Sequence, residues 1–342
     1  MKMLLVCPHF RNIEYGVAVS FKRLGVDVYP IFFNMGMDKK HIYQRVKNKL
    51  GMSIEKFLLN EKRKFNEQLL EKYQLVQPDC VYIIQGRWVS AESIKQMKKK
   101  SFIALYLWDM VNLFPEMYDT FHQYNIIYSF DKHDCELLNK KGYNAKFKPS
   151  GYDDSVYFPV QQEKEYDVSF VGAMYPERVA LLKELIKKLP GIRWGIFGEY
   201  APMRNPVKWL KWRFSSDYSY FRNKNISKAE ANLVYNKSKI ILSIVRANQI
   251  DGWSARLPEI LGAKAFQITN YYSSVEKEFQ GCLCLYKNNT ELVTLIQYYL
   301  QNEPVREAIA EQGYQKVKRF YSDDLLNKII IDDYFDWQAN HR

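Results

Sequence analysis

Short apolar runs that alternate with longer amphipathic stretches are the feature that most constrains the fold of this 342-residue chain. The run MLLVC at 3–7 is followed by a helix-like stretch at 15–25, which ends in Gly25, a residue suited to the C′ position of a helix. The run VDVYPIFF at 26–33 completes a β-α-β unit. Strands that are apolar throughout and separated by helices are typical of parallel sheets covered on both faces. The pattern therefore predicts an α/β fold with doubly wound sheets.

The strand-like runs fall into two series, separated by Pro159 and the polar residues 161–165. A chain near twice the usual domain length favours two domains. We therefore expect two tandem Rossmann-like domains at 1–160 and 161–324, followed by a helix-like C-terminal segment at 325–342. The predicted strands lie at 3–7, 26–33, 79–86, 102–109 and 125–131 in the first series, and at 166–173, 192–198, 239–245, 265–269 and 282–286 in the second.

Most of the excess positive charge lies in one part of the chain. The net charge is +12, and the chain has 47% hydrophobic residues, which excludes a disordered chain. Residues 187–224 hold nine basic and two acidic residues, more than half of the excess. Because the charge is local and no nucleic-acid motif is present, a nucleic-acid-binding protein is only a remote alternative. Its mark would be an affinity that falls steeply with salt.

The apolar runs are too short for a membrane span or a signal peptide. The longest, FIALYLW at 102–108, falls well below the ~20 residues that cross a bilayer. The run at 3–7 is shorter than the ~7–15 apolar residues of a signal peptide. The five cysteines include no CxxC pair and lie mainly in strand-like runs, which favours reduced core thiols over a zinc site. We therefore expect a cytoplasmic protein.

The basic segment NPVKWLKWRF at 205–214 mixes lysine and arginine with tryptophan, leucine and phenylalanine. Basic helices with aromatic residues lie at anionic membrane interfaces. We therefore predict that this segment contacts an anionic membrane surface or a lipid-linked acceptor, which would place the protein at the inner face of the membrane. The alternative is an insertion whose Trp209 and Trp212 pack on their own domain.

Several common cofactor motifs are missing from the sequence. No two glycines are spaced GxG and no glycine loop ends in GKS or GKT, so nicotinamide chemistry and P-loop phosphoryl transfer are disfavoured. No DxD, HExxH or GxSxG occurs, which leaves no usual metal-bridged nucleotide-sugar site. If the ligand is a diphosphate, helix termini and basic side chains must hold it, and we expect no metal or other cofactor.

In open parallel sheets, ligands bind beyond the carboxyl ends of the strands, so the residues just after each predicted strand are candidates for a site. Gly172 ends one strand and lets a ligand approach the backbone closely. Arg178 lies near the start of the next helix, where its charge would add to a phosphate site. The full set of candidate segments is 8–12, 85–87, 108–110, 131–134, 172–178, 198–200 and 246–259.

The last of these segments also has the chemistry of a phosphate site. Pro258 suits the first position of a helix. Ser254 and Arg256 lie just before it, and Glu259 would lie in the first turn. The unpaired N–H groups of such a helix and the Arg256 guanidinium suit a diphosphate, and Glu259 suits ribose hydroxyls. The alternative is that Glu259 only favours the helix dipole and pairs with Arg256 on the surface.

Eight segments, taken in order, carry a family resemblance. They are WD at 108–109, FDKHD at 130–134, SGYDDSVYFP at 150–159, YDVSFVGA at 166–173 with Arg178, KIILSIV at 239–245, SARLPEILGAKAFQIT at 254–269, ELVTLIQYYL at 291–300 and IAEQGYQKV at 309–317. Together they resemble the spore-maturation (CgeB-like) glycosyltransferases, a family with the two-domain GT-B fold. The resemblance covers roughly residues 100–325 and depends on the order of the segments more than on any one of them.

The resemblance implies a transferase that moves a sugar from a nucleotide-diphosphate donor in the C-terminal domain to a hydroxyl acceptor held largely by the N-terminal domain, without an essential metal. The acceptor is a surface glycan, a lipid-linked glycan or a protein. The C-terminal helix is expected to cross back and pack on the first domain. Where the family commonly has glycine, this chain has Lys264, which suits a phosphate contact or a solvated surface position. The implied donor-site residues are Gly172, Arg178, Ser254, Arg256 and Glu259, with Gly198 and Glu199 near the base.

Transfer with inversion requires a general base for the acceptor hydroxyl, and the first domain offers two. Asp109, directly after a predicted strand, is the first candidate, and His9, in the loop after strand one, is the second. The alternatives are a structural cap for Asp109 and a loop or core position for His9. Asp251 lies eight residues before Glu259, similar to the paired acids of E-x-seven-E retaining transferases, which suggests contact with the donor sugar. Retention and inversion both stay open, as does a nucleotide-sugar epimerase or hydrolase on the same fold.

Overall fold

The computed structural model describes residues 1–9, 13–33, 54–203, 205–245 and 250–341. Contacts divide the chain into two units. Unit 1 is Met1–Pro149 together with Asp323–Arg342, and unit 2 is Ser150–Ser322.

The domain boundary expected at 160 lies inside unit 2. The main-chain N–H of Val160 donates to Oδ1 of Asn236 at 2.7 Å. Tyr152 forms an isolated parallel bridge with Ser322. These contacts attach the stretch after residue 149 to unit 2 before its first strand begins, an attachment that no change in local sequence pattern marks.

Unit 1 is built on six parallel strands, and unit 2 on five, as expected for a doubly wound α/β chain. The unit 1 strands are β1 (Lys2–Pro8), β2 (Asp27–Phe33), β3 (Cys80–Ile84), β4 (Phe102–Leu107), β5 (Ile126–Ser129) and β6 (Ala145–Phe147). The unit 2 strands are β7 (Tyr166–Val171), β8 (Trp194–Phe197), β9 (Ser238–Ser243), β10 (Gln267–Asn270) and β11 (Cys284–Tyr286). The sheet orders are β2-β1-β3-β4-β5-β6 and β11-β10-β9-β7-β8.

Helices connect the strands throughout the described residues. Those of unit 1 are α1 (Ile13–Arg23), α2 (Ile54–Val76), α3 (Ala91–Met97), α4 (Tyr118–Phe121), α5 (Lys132–Lys140) and the C-terminal α14 (Asp323–His341), with 3-10 turns at Val111–Leu113 and Pro115–Met117. Those of unit 2 are α6 (Pro176–Lys188), α7 (Pro206–Arg213), α8 (Asp217–Tyr220), α9 (Lys228–Asn236), α10 (Arg256–Gly262), α11 (Ser273–Glu278), α12 (Asn289–Gln301) and α13 (Glu303–Phe320).

The strands are apolar because helices cover both faces of each sheet. All five residues of β3 are buried. Phe21 of α1 and Ile330 of α14 belong to the core on one face of the unit 1 sheet, and Leu69 of α2 and Met97 of α3 to the core on the other. This is the burial that the near-continuous apolar runs predicted.

Gly25 ends α1 in the left-handed conformation that the sequence predicted, with φ +79°. Its N–H donates to the Lys22 carbonyl, and the Val26 N–H donates to the Phe21 carbonyl, each at 3.0 Å. This pair of bonds is a Schellman cap, which turns the chain directly into β2.

Helix α14 packs on unit 1. The Tyr128 hydroxyl donates to Oδ2 of Asp333 at 2.6 Å, and Arg23 of α1 pairs with Asp324 at 2.6 Å.

All five cysteines are free thiols in the interior. Within the described residues, no helix has the length and apolar composition needed to cross a bilayer.

Each sheet winds outward in two directions from one place. The chain moves from β1 to β2 and then crosses to β3 on the other side of β1, and unit 2 does the same with β7, β8 and β9. Crevices at such switch points, beyond the carboxyl ends of the strands, are the usual ligand positions in parallel sheets.

Candidate functional site

Two glycines follow neighbouring strands at the carboxyl edge of the unit 2 sheet. Gly172 follows β7 and Gly198 follows β8, and the Gly172 N–H donates to the Phe197 carbonyl at 3.0 Å. A Cβ at Gly198 would run into the Gly172 carbonyl oxygen and the Met174 side chain. The two glycines therefore let the ends of β7 and β8 pack closely, and Gly172 stays half-buried at this edge, where ligands of parallel sheets bind.

Arg178 lies in the first turn of α6, as the sequence indicated, and reaches back over the end of β7. Its Nη1 donates to the Ala173 carbonyl at 3.1 Å and lies 3.7 Å from where a Cβ of Gly172 would be. The side chain is half-buried. Burial raises the pKa of nearby Tyr286 to about 12, although the Arg178 charge opposes the rise. A positive charge is therefore held beside Gly172.

Helix α10 begins earlier than the sequence predicted, at Arg256. Pro258 is therefore its third residue rather than its first, and that prediction was wrong. Ala255 is the N-cap, and no side chain caps the helix. A helix of seven residues aligns few peptide dipoles, so its N-terminus adds little to a diphosphate site. The chemistry of this segment depends on its side chains instead.

The Arg256 side chain is part of a polar network inside unit 2. Its Nη1 donates to the Tyr235 hydroxyl at 2.7 Å and lies 3.7 Å from Oε2 of Glu259. The Tyr157 hydroxyl bonds to Glu259, and its ring stacks on Tyr235 with 6.1 Å between ring centres. Burial raises the pKa of Tyr235 to about 12. Burial first, and then the Glu259 charge, raise the pKa of Tyr157. Both phenols therefore stay protonated and able to donate.

This network differs from the surface pair that was the alternative for Arg256 and Glu259. Arg256 and Glu259 do pair, but their side chains are only 32% and 14% exposed, so they are not a free surface pair. The Arg256 side chain as a whole keeps 32% of its surface accessible, which leaves room for an anion to approach it.

The remaining predicted donor-site residues lie in the loop before α10. The Ser254 carbonyl accepts from the Leu257 N–H at 3.0 Å. Asp251 and Ser254 are half-buried, and residues 246–249 of the predicted segment lie outside the described residues. Trp253 fixes the loop, because it is 2% exposed and its Nε1 donates to the Ser150 carbonyl at 3.1 Å. One loop and one helix therefore carry Asp251, Ser254, Arg256 and Glu259.

Lys264 adopts a left-handed backbone with φ +55°. Glycine adopts this conformation without strain, which explains why glycine suits the position in the family that the chain resembles. The Lys264 ammonium lies 2.5 Å from Oε2 of Glu311, and its side chain is 44% exposed. It is thus a surface lysine with a carboxylate partner, which was the second of the two expectations.

Glu199 follows Gly198 and lines a cavity of about 490 Å³ in unit 2. Aromatic rings form much of the wall, which suits a planar ligand that stacks. The other lining residues are Pro202, Met203, Trp209, Trp212, Arg213, Tyr218 and Asn223.

The tryptophans of the basic segment 205–214 contact their own unit. Nε1 of Trp212 donates to the Phe221 carbonyl at 3.1 Å, and the Trp212 ring lies 4.9 Å from the Tyr218 ring. The ring of Trp209 meets that of Trp212 edge to face at 6.3 Å. For these two side chains, the structure supports the alternative of packing within the domain.

The carboxyl edge of the unit 1 sheet carries both predicted general bases. His9 follows β1 and Asp109 lies just beyond β4, with β3 between those strands. Two strand spacings put their main chains roughly 10 Å apart. Asp109 is exposed, yet partial burial of its carboxylate raises its pKa, against the effects of Arg87 and of a hydrogen bond from Trp108. His9 is also exposed, so it is not a core histidine.

The capping role considered for Asp109 belongs to Asp134. The Val111 N–H, at the start of a 3-10 turn, donates to Oδ2 of Asp134 at 2.7 Å. Asp131 is the N-cap of α5 and accepts from the His133 N–H at 3.0 Å, so His133 and Asp134 lie in the first turn of this helix. Asp109 is therefore not the residue that caps this turn.

Gln85 lies between the two predicted bases, directly after β3. It has φ +71°, is only 5% exposed, and is held by an N–H bond to the Tyr106 carbonyl at 2.9 Å. Gly86 follows with φ +70°, and a Cβ there would lie 2.7 Å from the Met117 methyl group. A non-glycine residue rarely adopts this conformation, and such strain concentrates at functional sites.

Tyr157 and Tyr235 were not among the site residues predicted from the sequence. Tyr157 lies within SGYDDSVYFP, so the family-like block was an available signal. Tyr235 lies on an ordinary amphipathic helix and contacts Arg256, 21 residues away, only after folding. Sequence spacing contains no sign of that contact.

Residues 178–324 match a family model described as Glycosyl transferase-like. No curated protein has a significantly similar sequence. Among solved structures, a sucrose-phosphate synthase from Thermosynechococcus elongatus is 10% identical with a TM-score of 0.71, covering 99% of this chain and 100% of that one. A glycosyltransferase from Rickettsia africae is 16% identical with a TM-score of 0.67 and 98% coverage of both chains.

A putative UDP-N-acetylglucosamine 2-epimerase from Listeria monocytogenes also has this fold, with 12% identity, a TM-score of 0.62, and coverage of 98% of this chain and 97% of that one. These likenesses span both parallel sheets and show the GT-B fold. The matched domain begins at Arg178 and contains the loop and helix that carry Arg256 and Glu259. Residues 178–324 therefore form a glycosyl transferase-like domain, and the chain as a whole has the GT-B fold.

Proposed function

We propose that the protein transfers a sugar from a nucleotide-diphosphate sugar, bound at the carboxyl edge of the unit 2 sheet, to a hydroxyl acceptor bound by unit 1. The observation that carries this proposal is the guanidinium of Arg178, held beside the half-buried Gly172 at the carboxyl end of β7. Close backbone approach together with a fixed cation is what a diphosphate requires. The acceptor is a surface glycan, a lipid-linked glycan or a protein.

The cavity beside Glu199 supports the same placement for the base of the donor. Its aromatic walls suit a nucleobase, and a carboxylate accepts hydrogen bonds from base or ribose. The cavity follows the same strand end as Gly198, so one ligand extends from the glycines into it. The donor-site residues of the proposal are Gly172, Arg178, Gly198, Glu199, Ser254, Arg256 and Glu259.

Breaking the bond between sugar and diphosphate builds negative charge on the leaving group. Arg178 and Arg256 stabilise that charge. Asp109 takes the proton of the acceptor hydroxyl if configuration inverts, and its raised pKa makes it a stronger base than an ordinary carboxylate. His9 is the second choice for this role. If configuration is retained, Asp251 contacts the donor sugar instead.

We propose that transfer needs no metal ion or other cofactor. The support is the lack of a DxD pair in the sequence and the presence of Arg178 and Arg256 as cations for the diphosphate. Turnover should be unchanged in excess EDTA. A rate that EDTA abolishes and Mg²⁺ or Mn²⁺ restores would contradict this part.

A thermal-shift screen against nucleotide sugars tests the donor site. A ligand that binds only the folded state raises the melting temperature, by an amount that depends on its concentration relative to Kd. At least one nucleotide-diphosphate sugar should give a shift that the free sugar does not. A flat response to every nucleotide would contradict the proposal.

The second candidate is a nucleotide-sugar epimerase or hydrolase on the same fold, which the likeness to the Listeria structure supports. Consumption of the donor without any acceptor would favour it. Consumption that depends on an added acceptor would favour transfer.

The finer assignments also belong to this proposal. We propose a CgeB-like enzyme of polysaccharide biosynthesis that is cytoplasmic and peripheral to the inner face of the membrane, with no nucleic-acid partner. The order of the eight family-like segments supports the first point, and the basic segment 205–214 supports the membrane contact.

A further inference from the structure

An apolar stripe on helix α7 faces solvent. Val207, Leu210 and Phe214 are 62%, 49% and 82% exposed, and Met203 before the helix is 80% exposed. At 100° per residue, the first three positions fall within about 60° of one another around the helix axis. Trp212 lies on the other side and is half-buried. The apolar surface open to a partner is therefore formed by different residues from the tryptophans that the sequence emphasised.

The inward side of α7 holds this stripe in place. Trp212 donates to the Phe221 carbonyl and packs against Tyr218, while the Asn205 side chain caps the helix by accepting from the Lys208 N–H at 3.0 Å. An isolated helix of this length would not be stable in water. Because tertiary contacts fix it, the stripe is presented without any ordering cost when a partner binds.

Basic side chains flank the stripe, and no acidic residue occurs between 205 and 216. Lys211 lies on one side of it and Arg213 on the other, and Lys208 lies nearer the inward side of the helix. The Lys208 ammonium lies 5.3 Å from the centre of the Tyr200 ring, and the Arg213 guanidinium lies 4.4 Å from that of Tyr218. These rings hold the cations without neutralising them. A second copy of the chain would bring the same charge, so repulsion disfavours self-association through this face.

We propose that Val207, Leu210 and Phe214 insert into the interface of a bilayer that contains anionic phospholipid, while Lys211 contacts the headgroup phosphates. An apolar stripe with basic flanks is the form of helices that lie in this interface. Each lysine close to an anionic surface strengthens binding roughly fivefold. The inference deepens the peripheral location proposed above and adds the residues that produce it.

Co-sedimentation of the full chain with vesicles tests this. Binding should occur at low salt on mixed phosphatidylglycerol and phosphatidylcholine, and should be about tenfold weaker on phosphatidylcholine alone or at high salt. Phe214→Asp and Lys211→Glu should each weaken binding by about tenfold or more. Their melting temperatures should stay at the wild-type value, since both side chains are exposed.

Two matched controls lie in unit 1. Leu75→Asp removes an apolar side chain that is 85% exposed, and Lys99→Glu reverses an exposed lysine, so neither should change vesicle binding. Absence of wild-type binding at low salt, or undiminished binding of Phe214→Asp, would overturn the proposal. So would a wild-type dimer in the absence of lipid that Phe214→Asp converts to a monomer, because a second copy would then be the partner. No donor is present in these tests, so their failure would leave the glycosyltransferase proposal standing.

Discussion

The carboxyl edges of the two sheets differ in what they present. In unit 2, β7 and β8 are followed by Gly172 and Gly198, which have no side chains, and the Arg178 guanidinium lies beside Gly172. In unit 1, β3 is followed by the strained Gln85, and β4 by Trp108 and Asp109, so polar and aromatic side chains form the edge. Backbone and a cation suit a diphosphate, whatever sugar it carries. Side chains suit an acceptor, which requires selective recognition.

The two units also differ in the surroundings of their buried charged side chains. Unit 2 pairs Arg256 with Glu259 and two phenols. Unit 1 buries Lys148 at 6% exposure, with its ammonium 4.6 Å from the Tyr106 ring centre, and burial lowers the pKa of Lys148 to about 8. The stability of unit 1 should therefore depend on pH through Lys148.

The largest expected effect follows from Asp109. Asp109→Asn removes the proposed base while keeping the size of the side chain, so transfer should fall about a thousandfold. Donor-induced thermal shifts should be unchanged, because unit 2 binds the donor. In the wild type, transfer should also fall as pH drops through the raised pKa of Asp109, since the carboxyl is then protonated.

Asp119→Asn, an exposed carboxylate on α4, is the matched control and should behave as wild type. If Asp109→Asn keeps normal rates and His9→Gln does not, the base is His9. If neither change matters, the unit 1 edge does not supply the base.

The next effect concerns unit 2. Arg178→Ala should reduce turnover about a hundredfold and abolish the donor-induced thermal shift, because the leaving diphosphate loses a fixed cation. Arg193→Ala is the matched control: that side chain pairs with Asp167 at 3.1 Å, at the amino end of β7. If Arg178→Ala and Arg193→Ala reduced turnover equally, the position of Arg178 at the carboxyl edge of the sheet would be irrelevant to catalysis.

Lys148→Met tests the contrast in buried charge. Below pH 8 the wild-type ammonium is charged in both the folded and the unfolded state, and its burial destabilises the fold. Above the unfolded pKa of about 10.5 the amine is neutral in both states and the penalty is gone. The variant should therefore raise the free energy of unfolding by up to about 3–4 kcal/mol at pH 7, with the gain vanishing by about pH 10.5.

Urea unfolding across pH measures the effect. Lys146→Met is the control, since the Lys146 ammonium pairs with Asp333 and the Lys146 side chain is 49% exposed. Its stability should change by less than about 0.5 kcal/mol. A gain at pH 7 that persists at high pH would assign the effect to packing and contradict the charge explanation.

The smallest effect is expected at Asp134. Burial first, and then the Asp131 charge, raise the pKa of Asp134 to about 6. Ionisation therefore destabilises the fold above pH 6, and below the unfolded pKa of about 3.8 both states are neutral. Asp134→Asn keeps an acceptor for the Val111 N–H and should gain up to about 3 kcal/mol at pH 8 and nothing at pH 3.5. Glu136→Gln, exposed on the same helix, should show no such difference.

The elements of the fold were predictable because each is specified by local pattern. The apolar runs marked ten of the eleven strands to within a few residues, and Gly25 marked the end of α1. Strand β6 was missed because its three residues are too few to show a pattern. The start of α10 was predicted wrongly because proline is tolerated throughout the first turn of a helix, so Pro258 does not mark one position. The observed start depends on Arg256, which joins the network with Tyr235.

The sequence by itself determined the two parallel α/β sheets, the order of the strands along the chain and the basic segment, because spacing, propensity and charge are local properties. Only the tertiary structure decided which side chains share a site. Gly172 meets Gly198 because β7 and β8 are neighbours, and Arg256 meets Tyr235 because α9 and α10 lie in one unit. The tertiary structure also decided that Trp212 faces inward and Phe214 is exposed, since a surface helix presents one side to the core and the other to solvent.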